Sequence, residues 1–261
     1  MWQDERRRKS WAKKKSADWD KRAPSFARRN LNSAYVVQFL DHLKLEPDDR
    51  VLDVGCGPGT LALPLARKAQ AVTALDYSAA MLAELKTEAE GQGLTNITPI
   101  QASWEDDWES KGVTRHDIAI ASRSLSVNDL RAALEKLDRW ATRAVYISDR
   151  VGAGPFDPEI FAAVGRDFYP GPDYLYTLNI LYTMGIHARV DFISLDRCRE
   201  YGSPEEAFRS NAWMLNDLTP GEEEKLRSYI RGNLSQSDHS TWILPRKTAP
   251  QWALIWWDKD G

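Results

Sequence analysis

The chain has little cysteine, little histidine and no long apolar run. Its 261 residues include two cysteines and four histidines, too few for a disulfide framework and without the spacing of a metal site. No hydrophobic stretch approaches the roughly 18 residues that cross a bilayer. The polar N-terminus does not resemble a secretory signal. We therefore expect a cytoplasmic protein with neither a membrane span nor a bound metal.

Neither sign of charge is in large excess, since 35 basic and 38 acidic residues give a net charge of −3. Basic residues concentrate at residues 6–9 and 13–15, whereas the remainder is acidic and has no basic stripe. Such an arm can contact nucleic acid or anionic lipid, or it can be a solvated helical face. We expect the solvated face and no nucleic-acid partner. Trp11 and Trp19, eight residues apart, predict one amphipathic N-terminal helix.

Strand and helix patterns alternate along the middle of the chain. Apolar strands are predicted at residues 50–54, 71–75, 97–101, 117–121 and 144–148, with two later strands at residues 188–193 and 251–257. Helical patterns between them predict an α/β fold, a mostly parallel sheet with helices on both faces. We divide the chain into an N-terminal basic helical arm or lid (residues 1–30) and an α/β domain (residues 31–261). A helical insertion is expected in that domain at about residues 195–250.

A glycine-rich turn follows the first predicted strand, where residues 51–60 read VLDVGCGPGT. Glycine between a strand and a helix lets the backbone approach a ligand closely. The turn lacks the Gly-Lys-Ser/Thr ending of a phosphate-binding P-loop. Gly55 and Gly57 match the Gly-x-Gly-x-x-Gly dinucleotide fingerprint, but Thr60 occupies the third glycine position. A nicotinamide oxidoreductase is therefore disfavoured.

Two carboxylates narrow the choice of ligand. Asp53 stands two residues before Gly55, where it disfavours a pyrophosphate and suits a cation such as an ammonium group. Asp76 ends the second strand 23 residues later, a spacing at which an acid accepts hydrogen bonds from ribose hydroxyls. Together with the turn, they favour a nucleoside that carries an amino acid and no phosphate, as S-adenosylmethionine does.

These motifs resemble those of class I S-adenosylmethionine-dependent methyltransferases. The resemblance rests on residues 51–60, on LDYS at residues 75–78 with Met81 and Leu82, and on QASW at residues 101–104. It covers about residues 31–150 and is nearest to the small-molecule group that includes ubiquinone and menaquinone C-methyltransferases. It implies a Rossmann-like, seven-stranded sheet whose last strand is antiparallel. It also implies an enzyme that releases S-adenosylhomocysteine.

The resemblance further implies a set of cofactor-binding residues, namely Trp19, Asp53, Gly55, Gly57, Asp76, Tyr77, Met81, Ser103, Trp104 and Ser122. Gly55 and Gly57 would lie against the methionine part and Asp76 would bind the ribose. Ser122 would lie close to the sulfonium. Trp19 opens a segment, residues 19–23, similar to the one with which relatives close an N-terminal helix over the cofactor. Several of these side chains can alternatively be ordinary packing residues.

Methyl transfer is an in-line displacement on an activated carbon, so alignment and exclusion of water are the main tasks. A base is required only if the acceptor must lose a proton. The weak catalytic candidates are Arg123, which could hold an anionic group, and His187 and His239. Arg123 can alternatively form a surface ion pair, and a lone histidine is more often structural or exposed than catalytic.

The motifs do not identify the methyl acceptor. Aromatic residues are frequent between residues 161 and 182 and recur in the predicted insertion. They indicate either a pocket for a planar or partly apolar substrate or the insertion's own core. A small-molecule acceptor is our leading interpretation. The alternatives are a methyltransferase acting on RNA or protein and a domain that binds the cofactor without catalysis.

Overall fold

The structure, a computed structural model, describes residues 2–11, 15–20, 23, 33–237 and 241–259. Its elements up to residue 150 are α1 (Trp2–Arg8), α2 (Ser16–Asp20), α3 (Ala34–Asp41), β1 (Arg50–Val54), α4 (Ala62–Ala66), β2 (Ala71–Asp76), α5 (Ala79–Gly91), β3 (Ile97–Gln101), β4 (His116–Ser122), α6 (Leu130–Trp140) and β5 (Ala141–Arg150). The later elements are α7 (Pro158–Ala163), α8 (Tyr174–Thr183), β6 (Arg189–Ser194), β7 (Cys198–Tyr201), α9 (Pro204–Ala212), α10 (Pro220–Asn233), β8 (Ser235–Gln236), β9 (Trp242–Pro245) and β10 (Gln251–Asp258).

A seven-stranded sheet with the order β3-β2-β1-β4-β5-β10-β6 organises the fold. β1 pairs in parallel with β2 and β4, β2 with β3, and β4 with β5. The last four residues of β1 are all buried. Such continuous burial is typical of a parallel strand that is covered on both faces.

β10 runs antiparallel to its neighbours. The Lys259 amide, just after β10, donates to the Arg143 carbonyl near the start of β5 at 2.7 Å. At the other end, the Val151 amide donates to the Gln251 carbonyl at 3.3 Å. β10 therefore ends where β5 begins, and the predicted mostly parallel sheet with an antiparallel last strand is confirmed.

The helix α6 packs on the sheet through an apolar stripe. Asp129 is the N-cap of α6, and its side chain accepts from the Ala132 amide. The helix buries Leu130, Ala133, Leu134 and Leu137. This spacing is that of one helical face. A carboxylate at the N-cap satisfies an amide that the helix itself leaves unpaired.

The chain divides into two compact units. One contains residues 1–12, 150–174 and 194–252, and the other contains residues 13–149, 175–193 and 253–261. The first unit holds a three-stranded antiparallel sheet, β7-β9-β8. Its apolar core includes Phe161 and Phe208, with Phe168 and Trp242 packed against it. Of the two interpretations of the aromatic segment, a core of its own accounts for these four residues.

The predicted single N-terminal helix is wrong. α1 ends at Arg8, and Trp11 lies in irregular backbone rather than on a helix with Trp19. The Trp11 indole donates to the Pro170 carbonyl at 3.0 Å, and its ring stacks on Phe156 with centroids 4.9 Å apart. Tertiary contacts therefore fix Trp11 more strongly than helical propensity does.

None of the described helices has both the length and the apolar composition that crossing a bilayer requires.

Candidate functional site

The glycine turn joins β1 to α4 at the carboxyl edge of the parallel strands. Gly55, Gly57 and Gly59 have φ angles of 75°, 55° and 90°, in the left-handed region that favours glycine. The Gly55 amide donates to the Leu75 carbonyl at 2.7 Å, which ties the turn to β2. The turn is therefore a fixed loop next to the end of β2.

The three glycines differ in what a side chain would meet. A Cβ atom on Gly55 would lie 2.4 Å from the Ser124 Cβ, and one on Gly59 would lie 2.5 Å from Leu85 Cδ1. A Cβ on Gly57 has no neighbour within 4 Å among the described residues. Gly55 and Gly59 thus allow close packing within the protein, whereas Gly57 faces space that a ligand can occupy.

Asp76 is buried and oriented by the backbone. Its carboxylate accepts from the Gly57 amide at 2.8 Å and from the Ser78 amide at 2.9 Å, and the residue is 6% exposed. Burial raises the pKa of Asp76, and the two amides act in the opposite direction. A carboxylate has about four acceptor sites, so both oxygens can still accept hydrogen bonds from a ligand.

Asp53 is more deeply buried and differently placed. The residue is 1% exposed, and neither oxygen has a hydrogen-bond partner of normal geometry among the residues that the structure describes. Burial, followed by the nearby Asp76, raises the pKa of Asp53 to about 7, while the Ala62 amide and Arg123 act in the opposite direction. Because a buried carboxylate needs a partner, this orphaned group fits the ammonium of an S-adenosylmethionine cofactor.

α2 lies against the end of β2. The Ser78 hydroxyl donates to the Asp20 carboxylate at 2.5 Å and also accepts from the Met81 amide as the N-cap of α5. Trp19 forms a side-chain hydrogen bond with Tyr77, which is 37% exposed. Burial and nearby carboxylates, Asp76 first, raise the pKa of Tyr77 to about 12. Trp19 therefore lies at the same edge as Asp76.

The residues expected around the adenine fall into two groups. Tyr77 and Ser103 line a depression of about 380 Å³. Met81 is buried on α5, and the Trp104 indole donates to the Ser124 carbonyl at 3.2 Å. Of the four, Tyr77 and Ser103 thus border the cavity, Met81 is buried, and Trp104 is half-buried.

Asp106 is a residue at this site that the sequence motifs did not indicate. It lines the same depression, and its carboxylate accepts from the Ser103 amide at 2.9 Å. That backbone hydrogen bond is the main cause of its lowered pKa. The available signal was an aspartate three residues after Ser103, the pattern of a side chain that closes a turn.

The end of β4 lies next to the glycine turn. The Ser124 hydroxyl donates to the Val54 carbonyl at 2.7 Å. Arg123, immediately before it, has a φ angle of 57°, which is uncommon for a residue other than glycine. Its amide donates to the Ser148 carbonyl at 3.1 Å. Arg123 is therefore placed at the junction of β1, β4 and β5.

Tyr35, on α3, is a second residue that the sequence did not single out. Its hydroxyl lies 2.6 Å from the Ser122 hydroxyl and 2.5 Å from the Ser148 hydroxyl. The Arg123 guanidinium lies 4.1 Å from the centre of the Tyr35 ring. Tyr35, a buried aromatic residue of α3, thus contacts both Ser122 and Arg123.

The described histidine candidate, His187, does not lie at this edge. His187 is exposed, packs edge-on against Tyr182 and precedes β6. β6 begins beside the end of β10, because Arg189 forms an ion pair with Asp258 at 2.7 Å. The start of β6, and His187 before it, therefore lie at the amino edge of the parallel strands. His239 lies outside the described residues. Within the described part of the chain, no three side chains form a group that could hold a metal ion.

Comparison with known proteins gives a family. The model of a methyltransferase domain matches residues 51–143. An uncharacterized protein of Haemophilus influenzae is 36% identical over 245 residues, which are 93% of this chain and 89% of that protein. A 23S rRNA (uracil(1939)-C(5))-methyltransferase of Photobacterium angustum is 40% identical over only 79 residues, 30% of this chain and 36% of that protein.

Solved structures share the fold. A putative methyltransferase from Bacillus halodurans has a TM-score of 0.57 at 13% identity, covering 88% of this chain and all of that one, 100%. An S-adenosylmethionine-dependent methyltransferase from Aquifex aeolicus has a TM-score of 0.50 at 20% identity, covering 70% and 93%. With this fold, the matched domain, the glycine turn and its two carboxylates, the chain belongs to the class I methyltransferases that use S-adenosylmethionine as cofactor.

Proposed function

We propose that this methyltransferase acts on a small-molecule acceptor and releases S-adenosylhomocysteine. The observation that supports the proposal is the contact of α2 with the end of β2, made by the Asp20–Ser78 hydrogen bond of 2.5 Å. This contact covers the edge and adds Asp18 and Asp20 to the charge of Asp76. A covered, carboxylate-rich edge suits a ligand that can be enclosed and repels a phosphate backbone.

The proposed cofactor contacts follow the geometry. Asp76 would accept from the ribose hydroxyls, Asp53 would face the ammonium, and Gly57 would lie against the methionine part. Tyr77 and Ser103 would border the adenine. Trp19 would close over the ribose edge, and Gly55 would let the turn approach β4. Ser122 would lie near the sulfonium. Met81 and Trp104 would pack behind the adenine site.

We further propose that residues 1–30 act as the predicted arm or lid and that residues 31–261 form the methyltransferase domain with an insertion at about residues 195–250. In α1, Arg8 pairs with Glu5 at 3.2 Å and Arg7 pairs with Asp4. Local pairing reduces the attraction of this helix for a polyanion. The arm therefore gives little support to a nucleic-acid partner.

An RNA acceptor is the second candidate because of the partial similarity to the rRNA methyltransferase. That match covers 30% of this chain, and class I enzymes with different acceptors share the same cofactor-binding motifs. The similarity is therefore compatible with a common cofactor site and different acceptors.

A methyl-label transfer assay on fractionated host extract tests the proposal. The protein is incubated with labelled S-adenosylmethionine and separate small-metabolite, RNA and protein fractions. Label in the small-metabolite fraction is the expected result, and Asp76→Ala serves as the inactive control. Label found only in RNA or in protein contradicts the proposal. Binding of S-adenosylhomocysteine without transfer to any fraction would instead indicate a domain that has lost catalysis.

A further inference from the structure

We infer that the acceptor is a small molecule bearing an oxyanion, such as a carboxylate or an acidic enol or phenol, and that Arg123 binds this charge. The inference rests on the proposed function and specifies the substrate class of the same site.

The position of Arg123 supports a role in ligand binding. It follows β4 directly, and β4 pairs with β1 with Ile120 opposite Asp53. The Ser124 hydroxyl holds this segment to the Val54 carbonyl, immediately before the glycine turn. In parallel α/β sheets, ligands bind in the crevice at the carboxyl ends of the strands. Arg123 is thus at the binding edge, one residue beyond Ser122.

Tyr35 gives the guanidinium a rigid platform. The residue is 1% exposed, and its hydroxyl is held between the Ser122 and Ser148 hydroxyls. Arg123 lies 4.1 Å from the ring centre. An aromatic face orients a guanidinium and, unlike a carboxylate, brings no negative charge of its own. Tyr35 therefore orients the guanidinium without bringing a negative charge of its own, while the Asp53 carboxylate attracts the same guanidinium.

The charges at this end of the site favour an anion. Asp53 is the carboxylate that attracts Arg123 in the protein alone. A cofactor whose ammonium engages Asp53 would take up that negative charge and add a sulfonium to the same site, so that Arg123 becomes available to an anion. Like charges at short distance in a partly buried site repel each other strongly. An acceptor with a negative group between Arg123 and the methyl donor relieves this repulsion and is held by the same guanidinium.

The described edge contains no histidine that could serve as a base, since His42 lies at the end of α3, His116 at the start of β4 and His187 before β6. The carboxylate of Asp149, at the end of β5, accepts a hydrogen bond from the Thr177 hydroxyl at 2.7 Å. An oxyanion needs no such base. Its electron pair forms the new bond to the methyl carbon while the carbon–sulfur pair returns to sulfur, and no proton must be removed.

The first test separates Arg123 from cofactor binding. S-adenosylhomocysteine is titrated into the wild type, Arg123→Met and the surface control Arg67→Met, with thermal melting to verify folding. We expect all three affinities to agree within about threefold. A loss of about tenfold or more in Arg123→Met alone would assign Arg123 to the cofactor's carboxylate and overturn the inference.

The second test identifies the acceptor's charge. A small-molecule extract of the host is separated by anion exchange, and each fraction is offered with labelled S-adenosylmethionine. We expect transfer from a retained, anionic fraction into a product with one negative charge fewer. Arg123→Met should lower kcat/KM by about 30- to 300-fold, with partial rescue by Arg123→Lys. Transfer from a neutral or cationic fraction, or equal rates in the wild type and Arg123→Met, overturns the inference while leaving the proposed function intact.

Discussion

Two aspartates at the glycine turn are both buried, yet their surroundings give them different properties. Asp76 receives two backbone amides, which orient it and favour its ionised form. Asp53 receives no hydrogen bond of normal geometry from the described residues. Asp76 is therefore preorganised to accept hydrogen bonds, whereas the Asp53 oxygens can receive a cation of the ligand, with Arg123 favouring the ionised form from within the protein.

Asp76→Ala should weaken the binding of S-adenosylhomocysteine by about 1–3 kcal/mol, the cost of losing hydrogen bonds to a charged group at a buried site. Isothermal titration calorimetry measures the change. Asp107→Ala, which removes an exposed acid whose carboxylate accepts from the nearby Glu109 amide at 3.1 Å, is the matched control. Unchanged affinity in Asp76→Ala would contradict the proposed ribose contact.

At the scale of elements, neighbouring glycines of the turn have different roles: one packs against the protein, and the other faces the space for a ligand. Gly59 is crowded by Leu85 and Leu63, whereas Gly57 faces open space. Both have positive φ angles. The two positions therefore separate an effect on stability from an effect on binding.

Gly59→Ala should destabilise the protein by about 1–3 kcal/mol, because the new methyl group collides with Leu85 and the backbone angle is strained. Gly57→Ala should cost about 1 kcal/mol of stability from strain alone, but it should weaken S-adenosylhomocysteine binding more than Gly59→Ala does. Thermal melting and calorimetry on both variants check the two effects. The reverse order of effects would contradict the assignment of Gly57 to the ligand side of the turn.

None of the five residues of α2 is buried, and the Asp20–Ser78 hydrogen bond is one of the contacts that hold this helix against the end of β2. Asp20→Ala removes the hydrogen bond to Ser78 and should weaken docking by about 0.5–1.5 kcal/mol. Limited proteolysis should then cut residues 15–20 faster, with Asp48→Ala, at an exposed turn, as control. Equal cutting rates would show that other contacts hold α2 in place.

The sequence predicted the large sheet well because its strands are short apolar runs between helices of clear periodicity. The family resemblance also predicts the antiparallel role of the last strand, at residues 251–257, and the structure extends that strand to Asp258. The sheet β7-β9-β8 was not predicted, because its strands have only two to four residues. The glycine turn and Asp76 were visible in the sequence. Tyr35 was not, since its role arises from α3 packing on Ser122 and Ser148.

At the scale of the whole molecule, one buried carboxylate links stability to pH. The pKa of Asp53 is raised from 3.8 to about 7, mainly by burial. The folded state therefore binds a proton that the unfolded state has released between these values. The stability that Asp53 contributes is complete below pH 4 and is lost as the pH rises towards 7.

Asp53→Asn should remove this dependence. Without cofactor, the variant should be more stable than the wild type at pH 8 by up to about 4 kcal/mol, and the difference should shrink as the pH falls towards 4. Urea unfolding at a series of pH values measures it. Saturating S-adenosylmethionine should narrow the difference at pH 8, because its ammonium stabilises the wild-type carboxylate. A difference that does not vary with pH would contradict the buried, ionisable role of Asp53.

The antiparallel strand β10 also has a consequence for folding during synthesis. The strands β1 to β5 are complete when the ribosome has reached Arg150, and they can pair at once. β6 ends at Ser194, but the strand that joins it to the sheet begins at Gln251. At about 5–20 residues per second, β6 waits several seconds for its neighbour. The nascent chain therefore carries β6 without its neighbouring strand while the residues between Ser194 and Gln251 are synthesised, and this is the interval in which chaperone binding would protect it.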